Sequence, residues 1–171
     1  MGPLRTELRA ASWFAALGEP LTEGDLTEAR AYAGAEADVR RVTSWAEAET
    51  FLKSTDAGAL AWWDREEALR KQLLARAEAT YPERALWTSL TELTTEAGDL
   101  VHGKAATAAA RMGGAQPASI HVAAGAASQA VYQLAVARIA GETLSPFESK
   151  FRLLAAGRWP LGVTGSRLML F

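Results

Sequence analysis

Residues 82–140, PERALWTSLTELTTEAGDLVHGKAATAAARMGGAQPASIHVAAGAASQAVYQLAVARIA, decide the fold. They read as two long Ala-dense helices that reverse at Gly113-Gly114-Ala115-Gln116-Pro117. The glycines stop the first helix at about Met112, and Pro117 suits the first position of the next, where its missing N–H has no helical partner to lose. Leu86, Leu90, Leu93, Ala97, Leu100 and Val101 share one stripe of the first segment. Ala123, Ala126, Ala127, Ala130 and Leu134 share one of the second, which runs to Gly141. The small side chains let helix axes approach closely but bury little area each, so larger residues must plug the gaps. Six tryptophans, Trp13, Trp45, Trp62, Trp63, Trp87 and Trp159, are placed to do so.

Working outward towards the N-terminus, Leu60 to Thr80 forms another long helix, divided from the hairpin by Tyr81-Pro82-Glu83. Ser44-Trp45-Ala46-Glu47 is a capping box, which predicts a helix to about Lys53. Val39 and Val42 before it read as extended, and Gly34 to Arg41 is the one candidate hinge. Thr22 to Ala33 is a short helix with Asp25 and Glu28 near its positive end and Gly34 closing it. Leu4, Leu8, Ala11, Phe14 and Leu17 keep a helical spacing up to Gly18-Glu19-Pro20, which predicts one helix over that whole stretch.

Towards the C-terminus, Ser145-Pro146-Phe147-Glu148 combines a capping serine, a first-turn proline and a capping-box glutamate. Phe147, Phe151 and Leu154 share a face of the helix it starts, and Gly157 ends it. The tail from Trp159 to Phe171 drops the helical period and turns at Thr164-Gly165-Ser166. Its apolar end is expected to pack, either on its own bundle or on a second subunit. Together these elements predict an all-α fold in a single domain over residues 1–171: a bundle of about six helices with a short extended or hairpin-like C-terminal segment.

A chain of 171 residues can bury a sizeable core without disulfide or metal. With no cysteine, thiol catalysis, iron–sulfur clusters and cysteine-ligated zinc are excluded. A net charge of −2 with dispersed arginines argues against nucleic acid as a partner. The N-terminal residues lack the apolar core of a secretion signal, so the cytoplasm is the expected location. The most apolar stretch, Ile120 to Ala140, carries too many polar groups for a membrane span.

Two constellations bear on chemistry. Asp64 and Glu67 share one helix face, as do Glu96 and Asp99 on the next helix. If the chain reverses at Pro82, both pairs stand about 22 Å from the turn at about 1.5 Å per residue, and the four carboxylates lie level. Such a set suits Mg²⁺ or Mn²⁺. The pattern, with Glu96-Ala97-Gly98-Asp99-Leu100 as its second half, resembles the paired acidic motifs of MazG-type nucleoside triphosphate pyrophosphohydrolases, although Asp64 stands where that family has glutamate. The resemblance covers fewer than forty residues. It implies a metal-dependent hydrolase acting on a nucleotide in an all-α oligomer. The wheel also places these acids off the apolar stripes, where they would serve as a solvated face.

The second constellation is His121, Gly125, Ser128 and Tyr132, a narrow polar stripe that would line a ligand pocket or form the looser side of a central helix. His102 and His121 are the only histidines, too few for a closed zinc site. The leading expectation is a non-enzymatic interaction or accessory protein that self-associates or meets a protein partner through an apolar face and the Phe171 tail, with no cofactor. The pyrophosphohydrolase, with Mg²⁺ or Mn²⁺, and a small-ligand-binding bundle are the alternatives.

Overall fold

The computed structural model describes residues 2–54 and 57–171. Among them seven helices and three strands follow in order: α1 (Gly2–Ala10), α2 (Glu23–Ala33), β1 (Asp38–Arg41), α3 (Trp45–Lys53), α4 (Ala57–Thr80), α5 (Glu83–Arg111), α6 (Pro117–Ile139), α7 (Pro146–Ala155), β2 (Pro160–Thr164) and β3 (Arg167–Leu170). The fold is the helical bundle expected, with one helix more than counted and an extended C-terminal segment.

Helix α6 is the centre. Its Ala123, Ala127, Ala130, Val131, Leu134 and Val136 are fully buried, and α4, α5 and α7 all pack around it. The closest partnership is with α5, whose facing residues Ala97, Val101, Ala105 and Ala109 are equally small. Alanine on both sides lets the two backbones approach, and the lost side-chain area is made up by Leu86, Leu90 and Leu93 lower on α5, each contributing about 1.5–3 kcal/mol on burial. The α6 start carries no cap of its own. Glu49 of α3 supplies one, its Oε1 accepting from the Gln116 N–H at 3.0 Å and the Ser119 hydroxyl at 2.9 Å.

The first helix is shorter than its spacing predicts. It ends at Ala10, and residues 13–18 form turns. The Trp13 indole N–H donates to the Leu8 carbonyl at 2.9 Å, taking an acceptor that the next helical turn would have used. Phe14 then adopts φ 59°, which aims the chain back over α7, where Ser12 N–H meets the Ala155 carbonyl at 2.7 Å. The crossing needs Gly157: its φ is 93°, and a Cβ there would stand 2.6 Å from the Ala16 nitrogen. Buried Arg158 holds the returned segment, donating to the carbonyls of Ala16, Glu19 and Pro20 and to Asp25.

The C-terminal hairpin also differs from expectation by gaining a strand. β3 pairs antiparallel with β2 and parallel with β1, giving the order β1-β3-β2. Gly34 to Arg41 is therefore not simply a hinge: its second half is sheet, with Asp38 opposite Arg167 and their side chains joined at 3.0 Å. Phe171 is fully buried, its ring 5.4 Å from Trp45 and its backbone paired with Trp159.

Candidate functional site

The capping reading at Ser44 holds with one change. Ser44 accepts from the Glu47 N–H, while the Glu47 carboxylate reaches past Ser44 to the Thr43 N–H at 2.8 Å. This fixes α3 against the sheet, and with it Phe51 and Leu52. Those two residues, Trp62 and Trp63 of α4, Ala126 of α6 and Leu161 of β2 wall a cavity of about 320 Å³. Two further elements, α2 and α7, meet α4 and α6 at its floor.

Lys150 of α7 is buried, and its Nζ lies 2.5 Å from Glu66 Oε1 of α4 and 3.1 Å from Gln133 Oε1 of α6. Tyr32 of α2 places its hydroxyl 3.2 Å from the same Glu66 oxygen and its ring 5.6 Å below the Lys150 ammonium. The Trp62 indole N–H donates to the Tyr32 hydroxyl at 3.3 Å, with the two rings edge-to-face. Burial pushes the Tyr32 phenol well above its ordinary range, and the adjacent Glu66 charge raises it further, so Tyr32 stays protonated and donates. The ion pair is 9% exposed on each side. At that depth removing one member leaves an uncompensated charge, which makes the pair an all-or-none unit.

The acidic residues singled out from spacing go elsewhere. Glu67, one position from Glu66, turns outward and is gripped by Arg70 at 2.6 and 2.7 Å, which lowers its carboxyl to about 2. Glu96 is held by Arg9 at 2.6 Å, and Arg5 bridges Glu92 and Glu96. Asp99 lies on a larger, open depression of about 900 Å³ along α5, beside the Arg5 cluster. Asp64 is exposed. So Glu67 faces a cation on its own helix and Glu96 faces α1. Among the described residues no group of three or more His, Asp or Glu stands close enough to hold a metal ion.

The second predicted stripe divides as well. His121 meets His102 across the α5–α6 contact, ring centroids 4.9 Å apart, both exposed. Ser128 lies against Gly98, and the Tyr132 hydroxyl accepts from Arg70 at 3.4 Å. None of His121, Ser128 and Tyr132 lines the cavity above Glu66; from α6 that wall is Ala126 and Gln129. Of the adjacent tryptophans, Trp62 points into the cluster and Trp63, 54% exposed, stands at the cavity rim, as their 100° offset requires. Among the described residues no helix is long and apolar enough to cross a membrane.

Comparison with known proteins finds no family model, no curated relative and no solved structure that matches the chain. The likeness to MazG-type hydrolases accordingly rests on the two acidic pairs alone.

Proposed function

We propose that the protein is a small-ligand-binding helical bundle, taking a largely apolar molecule into the cavity floored by Glu66, Lys150 and Tyr32. The carrying observation is the position of the buried pair: two opposite charges, tied to each other and to Gln133 and Tyr32, sit at the bottom of an aromatic-walled cavity. A concave, mainly apolar site with a few convergent polar groups is the usual form of a small-molecule pocket, and about 320 Å³ lies at the small end of the roughly 300–1,000 Å³ such pockets span. The larger depression along α5 has less to support it, being open, with Glu92 and Glu96 already paired with Arg5 and Arg9.

Self-association through the tail has lost its main residue, since Phe171 is consumed by the chain's own core against Trp45 and Trp159. Binding rather than turnover fits the cluster because Lys150 and Glu66 are engaged with each other, leaving neither as a free nucleophile or base. The test uses protein labelled with 5-fluorotryptophan and a library of small aromatic and aliphatic fragments. Fluorine resonances of Trp62 and Trp63, assigned through their Phe variants, should move on binding while that of Trp87, on the other depression, stays fixed. Fragments that shift only Trp87, or none of the three, would overturn the proposal.

A further inference from the structure

We infer that the molecule bound in this cavity is an organic amine, its N–H group donating to Glu66 and its apolar body lying against Trp62, Trp63 and Phe51. The inference rests on the pocket reading above and adds the chemistry of the occupant. It follows from counting donors and acceptors on the floor. Lys150 has three N–H donors, and all have a use: the Glu66 carboxylate at 2.5 Å, the Gln133 carbonyl at 3.1 Å and the face of the Tyr32 ring. Both bonds to Glu66 fall on Oε1. Among the described residues no protein group donates to Oε2, although a carboxylate has about four acceptor sites over its two oxygens.

The Glu66, Lys150 and Tyr32 group therefore offers an acceptor and no spare donor, while the Gln129 amide and the Trp63 indole lie on the wall and rim. A carboxylate or phosphate pairing with Lys150 would have to displace Gln133 or Glu66 from it, and would meet the Glu66 charge on the way. An amine needs no displacement: it completes the unused oxygen with a charge-assisted bond. The walls favour the same choice, because Trp63 and Phe51 line the cavity beside Trp62, and aromatic rings attract cations, as Trp62 already does with the Arg65 guanidinium 5.9 Å from its ring centroid.

Three probes of matched size separate the possibilities: 2-phenylethylamine, 2-phenylethanol and 3-phenylpropionate. They are titrated into the fluorotryptophan-labelled protein at neutral pH. The amine should bind about tenfold more tightly than the carboxylate, the size expected of one hydrogen bond to a charged group, with the alcohol between them. In Glu66→Gln/Lys150→Met, which removes both charges together and leaves neither stranded, the amine preference should fall to about twofold or less. Trp63→Ala, an exposed substitution at the rim, should weaken all three probes.

If no probe moves the Trp62 and Trp63 signals, the pocket reading itself fails. If those signals move but the carboxylate binds as tightly as the amine, the pocket stands and the amine assignment is overturned. An amine preference that survives in the double variant also overturns it. Should that variant not fold, the wild-type comparison of amine with carboxylate decides alone.

Discussion

Replacing Lys150 by Met, Glu66 by Gln, and both together, turns the buried pair into a measurement. In Lys150→Met the Glu66 carboxylate keeps only the Tyr32 hydroxyl at 3.2 Å. Its simplest escape is to take up a proton, which from an unfolded-state value of about 4.3 costs about 3.7 kcal/mol at pH 7, at 1.36 kcal/mol per unit. In Glu66→Gln the lysine loses its 2.5 Å partner, and shedding its proton from about 10.4 costs about 4.6 kcal/mol at pH 7. These are ceilings, and they agree with the roughly 3–5 kcal/mol seen when one half of a buried pair is removed. The double variant strands no charge and should fall within about 1 kcal/mol of wild type or exceed it. The pH dependences run in opposite directions. A carboxyl that must give up its charge to stay buried loses nothing once the unfolded chain is protonated too, so the Lys150→Met deficit shrinks as pH falls and is gone below about 4. An amine that must give up its charge loses nothing once the unfolded chain is neutral too, so the Glu66→Gln deficit shrinks as pH rises towards about 10. Urea unfolding of the four proteins at pH 5, 7 and 9 reads both effects. Single variants that each lose under about 1 kcal/mol with no opposing pH trend would mean that water reaches the pair, and would refute its description as a buried unit.

Three further substitutions test the frame around the site. Gly157→Ala puts a Cβ 2.6 Å from the Ala16 nitrogen and 3.0 Å from that of Ala15 at a φ of 93°, with only backbone to give way. It should cost at least about 2 kcal/mol, or about 4–8 °C in calorimetric Tm, and a Tm within a degree of wild type would show that the 11–18 segment is not seated on Gly157. Arg138→Met removes a guanidinium that bonds Glu7 at 2.8 and 2.9 Å and Glu148 at 2.8 Å, joining α1, α6 and α7. Because Glu7 is 42% exposed the loss should be only about 1 kcal/mol and weaken in salt. The bond to Arg138 lowers the Glu7 carboxyl, so this stabilisation is present at neutral pH and fades as pH falls through that lowered value; a deficit that grew in acid would contradict the assignment. Ser44→Ala deletes the cap bonded to the Glu47 N–H and should cost about 1 kcal/mol by urea midpoint, with no change meaning that the Thr43–Glu47 bonds hold the helix start unaided.

The helices were legible because their punctuation is local. Thr22, Ser44, Ser145, Pro117 and Gly157 each act within a few residues of themselves, and the elements between them stand where those signals put them. The two departures are both long-range. Leu4 to Leu17 keeps helical spacing, and nothing in the stretch announces that Trp13 will bond back to Leu8 or that the chain will find Gly157 far along it. Likewise Val39 reads as extended, but nothing in Asp38-Val39-Arg40-Arg41 announces its sheet partner; it becomes a strand because β3, some 129 residues later, presents an open edge to it. Pairing partners at such separations leave no trace in the periodicity of either partner.

The site was half legible, and the half that was missed had a signal. Spacing was used to find acids that share a solvent-side face, which is how Asp64, Glu67, Glu96 and Asp99 stood out, and charges on such faces are the ones most readily met by surface arginines, as Arg70, Arg9 and Arg5 do. The opposite question is the more selective one: which charges lie on an apolar stripe. At 100° per residue Glu66 falls about 40° from Trp62 and about 20° from Leu73, at the edge of the stripe that Trp62, Leu69 and Leu73 define. Lys150 falls between the buried Leu153 and Leu154, about 60° from Phe147. A lone charge there would cost several kcal/mol, so a chain carrying one acid and one base on two different buried stripes is under strong pressure to join them. Their joining at 2.5 Å then fixes how α4 and α7 sit on α6, and the aromatic residues flanking Glu66 are brought to the cavity as a consequence. Fold and pocket are in that sense one construction, because the pair that orients the helices is also the polar floor on which a ligand would rest.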